Sequence, residues 1–140
     1  MPAVTRASIL LVDDNPLNSK RTKFLLASNG YVVRTAGNAE QALEVLETFA
    51  PALILMDLQM PGPDGFELTR VLKRDPTMND VVIVALTPHA MKGDRERALE
   101  AGCDGYIDTP LDTRDLPDLI AGYLTTRRET HRGGLDSSEG

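Results

Sequence analysis

The chain has 140 residues, enough for one domain, and 41% of them are hydrophobic, which is sufficient for a substantial core. A formal net charge of −6 argues against a general phosphate-backbone binder, and an aromatic content of 4% leaves few rings for stacking on bases. No apolar stretch is long enough for a signal peptide or a membrane span, and the one cysteine, Cys103, cannot form an intramolecular disulfide. We therefore expect a soluble cytoplasmic protein that binds neither nucleic acid nor membrane.

The first half of the chain alternates apolar runs with segments of helical period. Ser8–Val12 predicts a first strand, and Leu17–Ser28 predicts a helix that stops at an Asn-Gly pair. Tyr31–Thr35 predicts a second strand. A second helix is predicted over Ala39–Phe49, because apolar residues recur there three and four apart and Asn38 can cap its start.

The second half repeats this alternation three times. The apolar character of its first two strand candidates is typical of strands that are covered on both faces, and the last candidate is weaker. In chain order the elements are a strand at Leu53–Met56, a helix at Asp64–Lys73, a strand at Val81–Leu86, a helix at Ala90–Ala101, a strand at Gly105–Ile107 and a helix at Thr113–Leu124.

Five strand–helix alternations define an α/β fold class with right-handed crossovers. The architecture predicted is a flavodoxin-like, doubly wound, five-stranded parallel sheet of order 2-1-3-4-5 with five helices. Beyond Thr126 the chain becomes polar and rich in glycine and serine. We therefore expect one domain over residues 1–126 and a flexible tail over residues 127–140.

Acidic residues directly follow the first and third predicted strands. Asp13 and Asp14 come after the first strand, and Asp57 comes after the third. In an open parallel sheet, ligands bind beyond the carboxyl ends of the strands at the point where strand order reverses, which is between these two strands. Three neighbouring carboxylates are costly unless a cation joins them, and oxygen ligands suit Mg²⁺ best. A local capping role would explain any one of these aspartates, but it does not explain all three together.

The later strand ends carry two further candidates. The fourth strand is followed by Thr87, whose hydroxyl could donate to an anion held at Asp57, although a lone threonine at a strand end usually makes a local turn bond. The fifth strand contains Tyr106 and leads to Thr109 and Pro110.

These residues carry a family resemblance. The matching segments, in order and correctly spaced, are LLVDDN (Leu10–Asn15), LILMDLQMPGPDG (Leu53–Gly65), Thr87, AMKGDRERALEAGCDGYI (Ala90–Ile107) and Pro110. Over about residues 8–126 the chain resembles the receiver domains of bacterial two-component response regulators, in particular the single-domain, chemotaxis-regulator-like members. The stretch over Ala90–Ile107 is also similar to receivers of hybrid histidine kinases and of cell-cycle regulators.

The resemblance implies a role for each matching residue. Asp57 matches the phosphoacceptor, and Asp13 and Asp14 match the acidic pair that orders Mg²⁺. Gln59 matches the residue whose backbone carbonyl completes the metal shell. Thr87 matches the hydroxyl that binds the phosphoryl group, and Tyr106 matches the aromatic switch that turns inward behind it.

The same resemblance implies partners rather than substrates. A histidine kinase or a histidine phosphotransfer protein would supply the phosphoryl group, and a downstream protein would read the result. The chain would then be a signalling phosphoacceptor and not an enzyme. Family members often pair through the face built from the fourth and fifth helices, so the sequence leaves a homodimer as one possibility.

One position departs from the family pattern. The lysine that normally precedes the late proline is Thr109 here, which offers a neutral donor and no positive charge. A hydrogen bond to a charged group contributes about 1.5–3 kcal/mol, against about 1 kcal/mol for a neutral one. Lys92 is a candidate for compensation because a lysine side chain reaches far.

This departure leaves an alternative function open. The leading hypothesis is a single-domain response regulator that is phosphorylated on Asp57, and the alternative is a pseudo-receiver that binds proteins without phosphorylation. A phosphatase of the haloacid dehalogenase kind also uses an aspartate after a strand. It requires a second aspartate two residues further on, where this chain has Gln59.

Overall fold

The computed structural model describes residues 7–57, 64–78, 80–87, 94–108 and 116–124, in which strands and helices alternate. The strands are β1 (Ser8–Val12), β2 (Val32–Ala36), β3 (Leu53–Asp57), β4 (Val82–Thr87) and β5 (Gly105–Asp108). The helices are α1 (Pro16–Ser28), α2 (Ala39–Leu46), α3 (Asp64–Arg74), α4 (Asp94–Ala101) and α5 (116–124), and a short 3-10 turn (Pro76–Met78) precedes β4.

The five strands form one parallel sheet in the order β2-β1-β3-β4-β5, which confirms the predicted topology. From β1 the chain moves outward to β2, and it then returns to build β3, β4 and β5 on the other side. The strand order therefore reverses between β1 and β3, and in open parallel sheets ligands bind beyond the carboxyl ends of the strands at such a point.

Alternate residues of the central strands pack against opposite layers of helices. Leu10 and Val12 belong to a cluster with residues of α2 and α3, whereas Ile9 and Leu11 belong to a cluster with residues of α1 and α5. All four side chains are completely buried. Burial of each contributes about 1.5–3 kcal/mol, so β1 and its neighbours form a rigid base for the residues at their ends.

The second strand begins one residue later than the sequence predicts, because Tyr31 completes the end of α1. Its backbone N–H donates to the Leu26 carbonyl at 3.1 Å, and Gly30 before it has a φ of 93°, which turns the chain out of the helix. At the other end, the Ala36 carbonyl accepts from the Asp13 N–H at 2.9 Å, so the ladder extends one residue further.

The second helix ends at Leu46, whereas the sequence predicts an end at Phe49. The N–H groups of Glu47 and Thr48 donate to carbonyls three residues back, at 3.2 and 3.1 Å, so the last turn tightens instead of continuing. Phe49 lies beyond this turn, and its ring centroid is 5.5 Å from the Arg34 guanidinium carbon. The apolar period continued past the helix because Phe49 packs on the core without being helical.

The remaining boundaries agree to within one residue where the structure describes them. Strands β3 and β4 each extend one residue further, to Asp57 and Thr87, and α3 extends to Arg74. The predicted starts of the last two helices, at Ala90 and Thr113, lie outside the described residues, as does the predicted tail.

Candidate functional site

The ends of β1 and β3 bring three aspartates together at one edge of the sheet. Val12 lies beside Met56 in the register of these strands, so the residues that follow them, Asp13 and Asp57, are neighbours. With Asp14, each offers one carboxylate oxygen, and the three oxygens lie within 4.8 Å of one another. The acidic cluster expected from the sequence is therefore present.

The start of α1 holds the Asp13 side chain in place. Its Oδ1 accepts from the Asn15 backbone N–H at 2.9 Å, and its Oδ2 accepts from the Asn18 side-chain amide at 3.3 Å. The Ser19 hydroxyl donates to the Asp13 backbone carbonyl at 3.2 Å. Asp13 is only 5% exposed, so this carboxylate is a buried group whose orientation is fixed by neighbours in its own segment.

Asn15 gives the first turn of α1 its shape. Its side chain accepts from the N–H groups of Leu17 and Asn18, at 3.0 and 3.1 Å, and Pro16 occupies the first helical position. The helix therefore begins two residues after the acidic pair, with its positive dipole end toward the cluster. This geometry favours negative charge at the position where the carboxylates meet.

The three carboxylates fit a hard divalent cation. Asp13 is buried, Asp57 is half-buried and Asp14 is exposed, so the cluster opens to solvent on one side. Each carboxylate oxygen has two lone-pair sites, and each Asp13 side-chain oxygen accepts one hydrogen bond from the described residues. An oxygen-only donor set with access to water is the environment that Mg²⁺ prefers. The fold therefore provides carboxylate oxygens at the ends of two strands, with Asp14 exposed to solvent.

The two predicted residues on later strands lie along the same edge of the sheet. Thr87 is the last residue of β4, one position beyond Leu86, which is level with Asp57. Tyr106 lies on β5, level with Ala85. The Tyr106 ring is half-buried and packs against the cluster of residues on the α2 and α3 side of the sheet.

The Tyr106 hydroxyl is the buried side-chain polar atom without a hydrogen-bond partner in the part of the chain that the structure describes. Burying such a group without a partner costs about 1–3 kcal/mol. Among the described residues, the Tyr106 ring is therefore held by packing and not by a hydrogen bond from its hydroxyl.

Three other predicted residues, Gln59, Lys92 and Thr109, lie outside the described residues. The predicted metal carbonyl, the compensating lysine and the substituted position thus stay predictions from the sequence. The structure brings together Asp13, Asp14 and Asp57.

Sequence reasoning missed the groups that support the site. Asn15 and Asn18 orient Asp13, and the Asn-Pro pair after the two aspartates is a helix-start signal that could have identified the first of them. Tyr123, whose hydroxyl bonds to the Tyr106 backbone, had no comparable signal. Its place in a helical period shows which face it occupies, but not which strand it reaches.

Comparison with known proteins identifies the family. Residues 9–121 match the family model described as the response regulator receiver domain, so the chain belongs to this family. It is 38% identical over 117 residues to the polar-differentiation response regulator DivK of Brucella anthropi, covering 84% of this chain and 95% of the relative. The protein of the same name from Brucella ovis is 39% identical over 118 residues, with the same coverage.

Solved structures agree with this assignment. The receiver domain of the sensor histidine kinase PA1611 from Pseudomonas aeruginosa, with a magnesium ion coordinated in its active-site cleft, is 34% identical with a TM-score of 0.76, covering 85% of this chain and 98% of that one. A CheY-like response regulator receiver domain protein from Methanospirillum hungatei is 31% identical with the same TM-score of 0.76, covering 88% and 97%.

Membership of the family defines the class of activity. A receiver domain is a signalling phosphoacceptor of two-component systems and not an enzyme, and its partner class is a histidine kinase. The cluster of Asp13, Asp14 and Asp57 is the acidic site that is typical of magnesium binding in such domains. Within the described ranges, no helix has both the length and the apolar content needed to cross a bilayer.

Proposed function

We propose that this receiver accepts a phosphoryl group on Asp57 from a phosphohistidine of a kinase or phosphotransfer protein, in a magnesium-dependent reaction, and then signals through protein contacts. The convergence of Asp57 with Asp13 and Asp14 within 4.8 Å is the observation that carries this proposal. Asp57 is the member of the cluster on β3, half-buried, and so it is accessible to a donor while its strand is firmly held.

In the transfer, an Asp57 oxygen attacks phosphorus as the nucleophile. A P–O bond forms, the P–N bond of the phosphohistidine breaks, and its electron pair returns to the imidazole ring. Asp13, Asp14 and Asp57 would hold Mg²⁺, and the Gln59 backbone carbonyl is the proposed fourth protein ligand. When bound, the ion would supply positive charge that offsets the negative charge of the transferred group.

The response to phosphorylation is assigned to residues on β4 and β5. The Thr87 hydroxyl donates to the new phosphoryl group, and Tyr106 is the ring that reports this change. Both lie on the same edge of the sheet as Asp57, on the two strands that follow β3 in the sheet order. The phosphoryl group thereby favours one of two existing states rather than creating a new one.

The proposal is tested by treating the protein with acetyl phosphate and MgCl₂ and measuring its intact mass. We expect one added phosphoryl group in the wild type and none in Asp57→Asn. Asp118→Asn is the matched control, because Asp118 is an exposed aspartate on α5 and its loss should leave uptake unchanged. Absence of the added mass in the wild type with both acetyl phosphate and a phosphorylated histidine donor would overturn the proposal.

A pseudo-receiver is the second candidate, and the presence of Thr109 in place of the family's lysine is the observation that favours it. In that case the fold binds a partner without phosphorylation. Besides phosphoryl uptake, the affinity for a partner separates the two candidates: Asp57→Asn changes it for a switch and leaves it unchanged for a pseudo-receiver.

The extent and setting of the domain are part of the same proposal. We assign residues 1–126 to the receiver domain and residues 127–140 to a polar tail, a division that the composition of the chain supports. A cytoplasmic location follows from the proposed phosphohistidine donor.

A further inference from the structure

One contact joins α5 to the strand that carries Tyr106. The Tyr106 backbone N–H donates to the Tyr123 hydroxyl at 3.3 Å, and the same hydroxyl donates to the Tyr106 carbonyl at 3.2 Å. Strand β5 pairs with β4, and no strand of the described residues lies on its other side, so the Tyr123 hydroxyl makes backbone hydrogen bonds at Tyr106 that a further strand would otherwise make.

Gly105, which is buried, shows how closely the Tyr123 ring approaches β5. A Cβ at position 105 would lie 2.6 Å from the Tyr123 Cζ, a separation that side chains do not tolerate. Glycine at position 105 therefore allows the Tyr123 ring to approach the backbone of β5 this closely. Two separate features therefore indicate that Tyr123 has a defined position against β5. These are the absence of a side chain at position 105 and the two hydrogen bonds at position 106.

Among the described residues, the hydrogen bonds that hold Tyr106 are made at its backbone and not at its hydroxyl. Its ring packs among the residues on the α2 and α3 side, and its hydroxyl is buried without a partner in the described part of the chain. The rotamers open to a side chain depend on its backbone angles. Strand β5 has four residues and pairs with β4, and at Tyr106 the Tyr123 hydroxyl is a further contact that restrains the backbone.

We infer that Tyr123 is a positioning residue for the Tyr106 switch, an inference that rests on the proposed function. By holding both backbone groups of Tyr106, the phenol sets the balance between inward and outward positions of the ring. It also couples that balance to α5. A protein that binds α5 therefore changes the equilibrium between the two positions of Tyr106, and the position of Tyr106 changes the binding free energy of that protein by the same amount.

The test uses fluorine NMR of the full chain labelled with fluorotyrosine. The chain contains 3 tyrosines, all described, so the Tyr106 signal can be assigned with single Tyr→Phe variants. In unphosphorylated Tyr123→Phe, we expect the Tyr106 signal to broaden or split, and the exchange rate of the Tyr106 amide hydrogen to rise about tenfold. After acetyl phosphate and MgCl₂, we expect unchanged phosphoryl uptake by mass, but less than half of the wild-type shift of the Tyr106 signal.

Tyr31→Phe is the matched control. The Tyr31 hydroxyl also bonds to α5, donating to the Pro117 carbonyl at 3.3 Å, but this bond does not involve the backbone of β5. This variant should keep the wild-type Tyr106 signal and its full phosphorylation shift, because the loss of a tyrosine hydrogen bond to α5 does not by itself change the position of Tyr106.

Gly105→Ala provides a second route to the same defect, because the added methyl displaces the Tyr123 ring while leaving its hydroxyl present. It should reproduce the Tyr106 signal of Tyr123→Phe. A wild-type Tyr106 signal in unphosphorylated Tyr123→Phe would overturn the inference, whether or not the protein accepts phosphate. Absence of phosphoryl uptake in the wild type would instead overturn the proposed function, and the unphosphorylated signal would still decide the inference.

Discussion

Asp13 and Asp14 are adjacent in sequence, but Asp13 is buried and Asp14 is exposed, so the two carboxylates are suited to different roles at the site. Asp13 is 5% exposed and its side chain accepts two hydrogen bonds from the start of α1, so its carboxylate has a fixed orientation. Asp14 is exposed and can adjust to a cation and its waters. The pairing of a fixed with an adjustable carboxylate suits Mg²⁺, which keeps several of its waters.

Restoring the family's lysine at position 109 tests the missing cation. We expect Thr109→Lys to raise the rate of phosphorylation by acetyl phosphate roughly 2- to 30-fold, because a charged donor replaces a neutral one. Thr109→Ser, which keeps a hydroxyl, is the control and should stay near the wild-type rate. Equal rates for lysine and threonine would show that another group, such as Lys92, already supplies the charge.

The thiol of Cys103 gives a prediction about pH. Burial raises its pKa from 9.0 to about 11, the Thr69 hydroxyl opposing this effect. The unfolded chain therefore loses this proton first as the pH rises. The stability that the thiol contributes is fully present below pH 9 and is lost as the pH approaches 11.

We expect the free energy of unfolding of the wild type, relative to that of Cys103→Ala, to fall by roughly 2 kcal/mol between pH 8 and pH 11, as measured by urea unfolding. Iodoacetamide should leave the folded protein unmodified at pH 8 and modify the unfolded chain readily. A difference that does not change with pH would contradict this account of Cys103.

Among the strands and helices, the sequence predicted those elements that are marked by the pattern of apolar residues. Residues 9–12 of β1 and residues 53–56 of β3 are all apolar because both faces of these strands are covered, and their short length identifies such runs as strands. The boundaries of β2 and α2 were displaced because they depend on single backbone hydrogen bonds, such as the one from Tyr31 to Leu26. Periodicity carries no information about which N–H closes a turn.

Two glycines near the ends of elements should respond in opposite directions to alanine. Gly102 has a φ of 111°, and a Cβ there would lie 2.7 Å from the Lys73 Cγ, so Gly102→Ala should lower the free energy of unfolding by about 1–3 kcal/mol. Gly122 lies in α5, where an added Cβ would have open space within 4 Å among the described residues, so Gly122→Ala should raise it by about 1 kcal/mol. Chemical denaturation measures both values, and a stabilising Gly102→Ala would contradict the backbone geometry at the end of α4.

At the scale of the molecule, three carboxylates at one edge of an acidic protein are a source of repulsion that a cation relieves. The chain has a formal net charge of −6, and the strand order places Asp13, Asp14 and Asp57 together. The cluster could be predicted from sequence because parallel strands share their carboxyl edge. The support from Asn18 and the contact of Tyr123 could not, because each depends on how far a side chain reaches across the fold.

Magnesium should therefore stabilise the whole molecule. At a Mg²⁺ concentration about ten times the dissociation constant, we expect about 1.4 kcal/mol of stabilisation and a rise in Tm of about 5 °C. Asp57→Asn should lose most of this rise, and in chelator it should melt at or above the wild type because one anion has been removed. KCl at matched ionic strength is the control, and an equal rise with KCl would contradict specific binding.

The most direct test of the phosphoacceptor asks which residue carries the phosphoryl group. Borohydride reduces an aspartyl phosphate to homoserine, and tandem mass spectrometry of peptides then locates the converted residue. After phosphorylation in the presence of Mg²⁺, we predict homoserine at position 57 and none without the metal ion. Conversion of Asp13 or Asp14 with Asp57 unchanged would contradict the assignment of Asp57 as the acceptor.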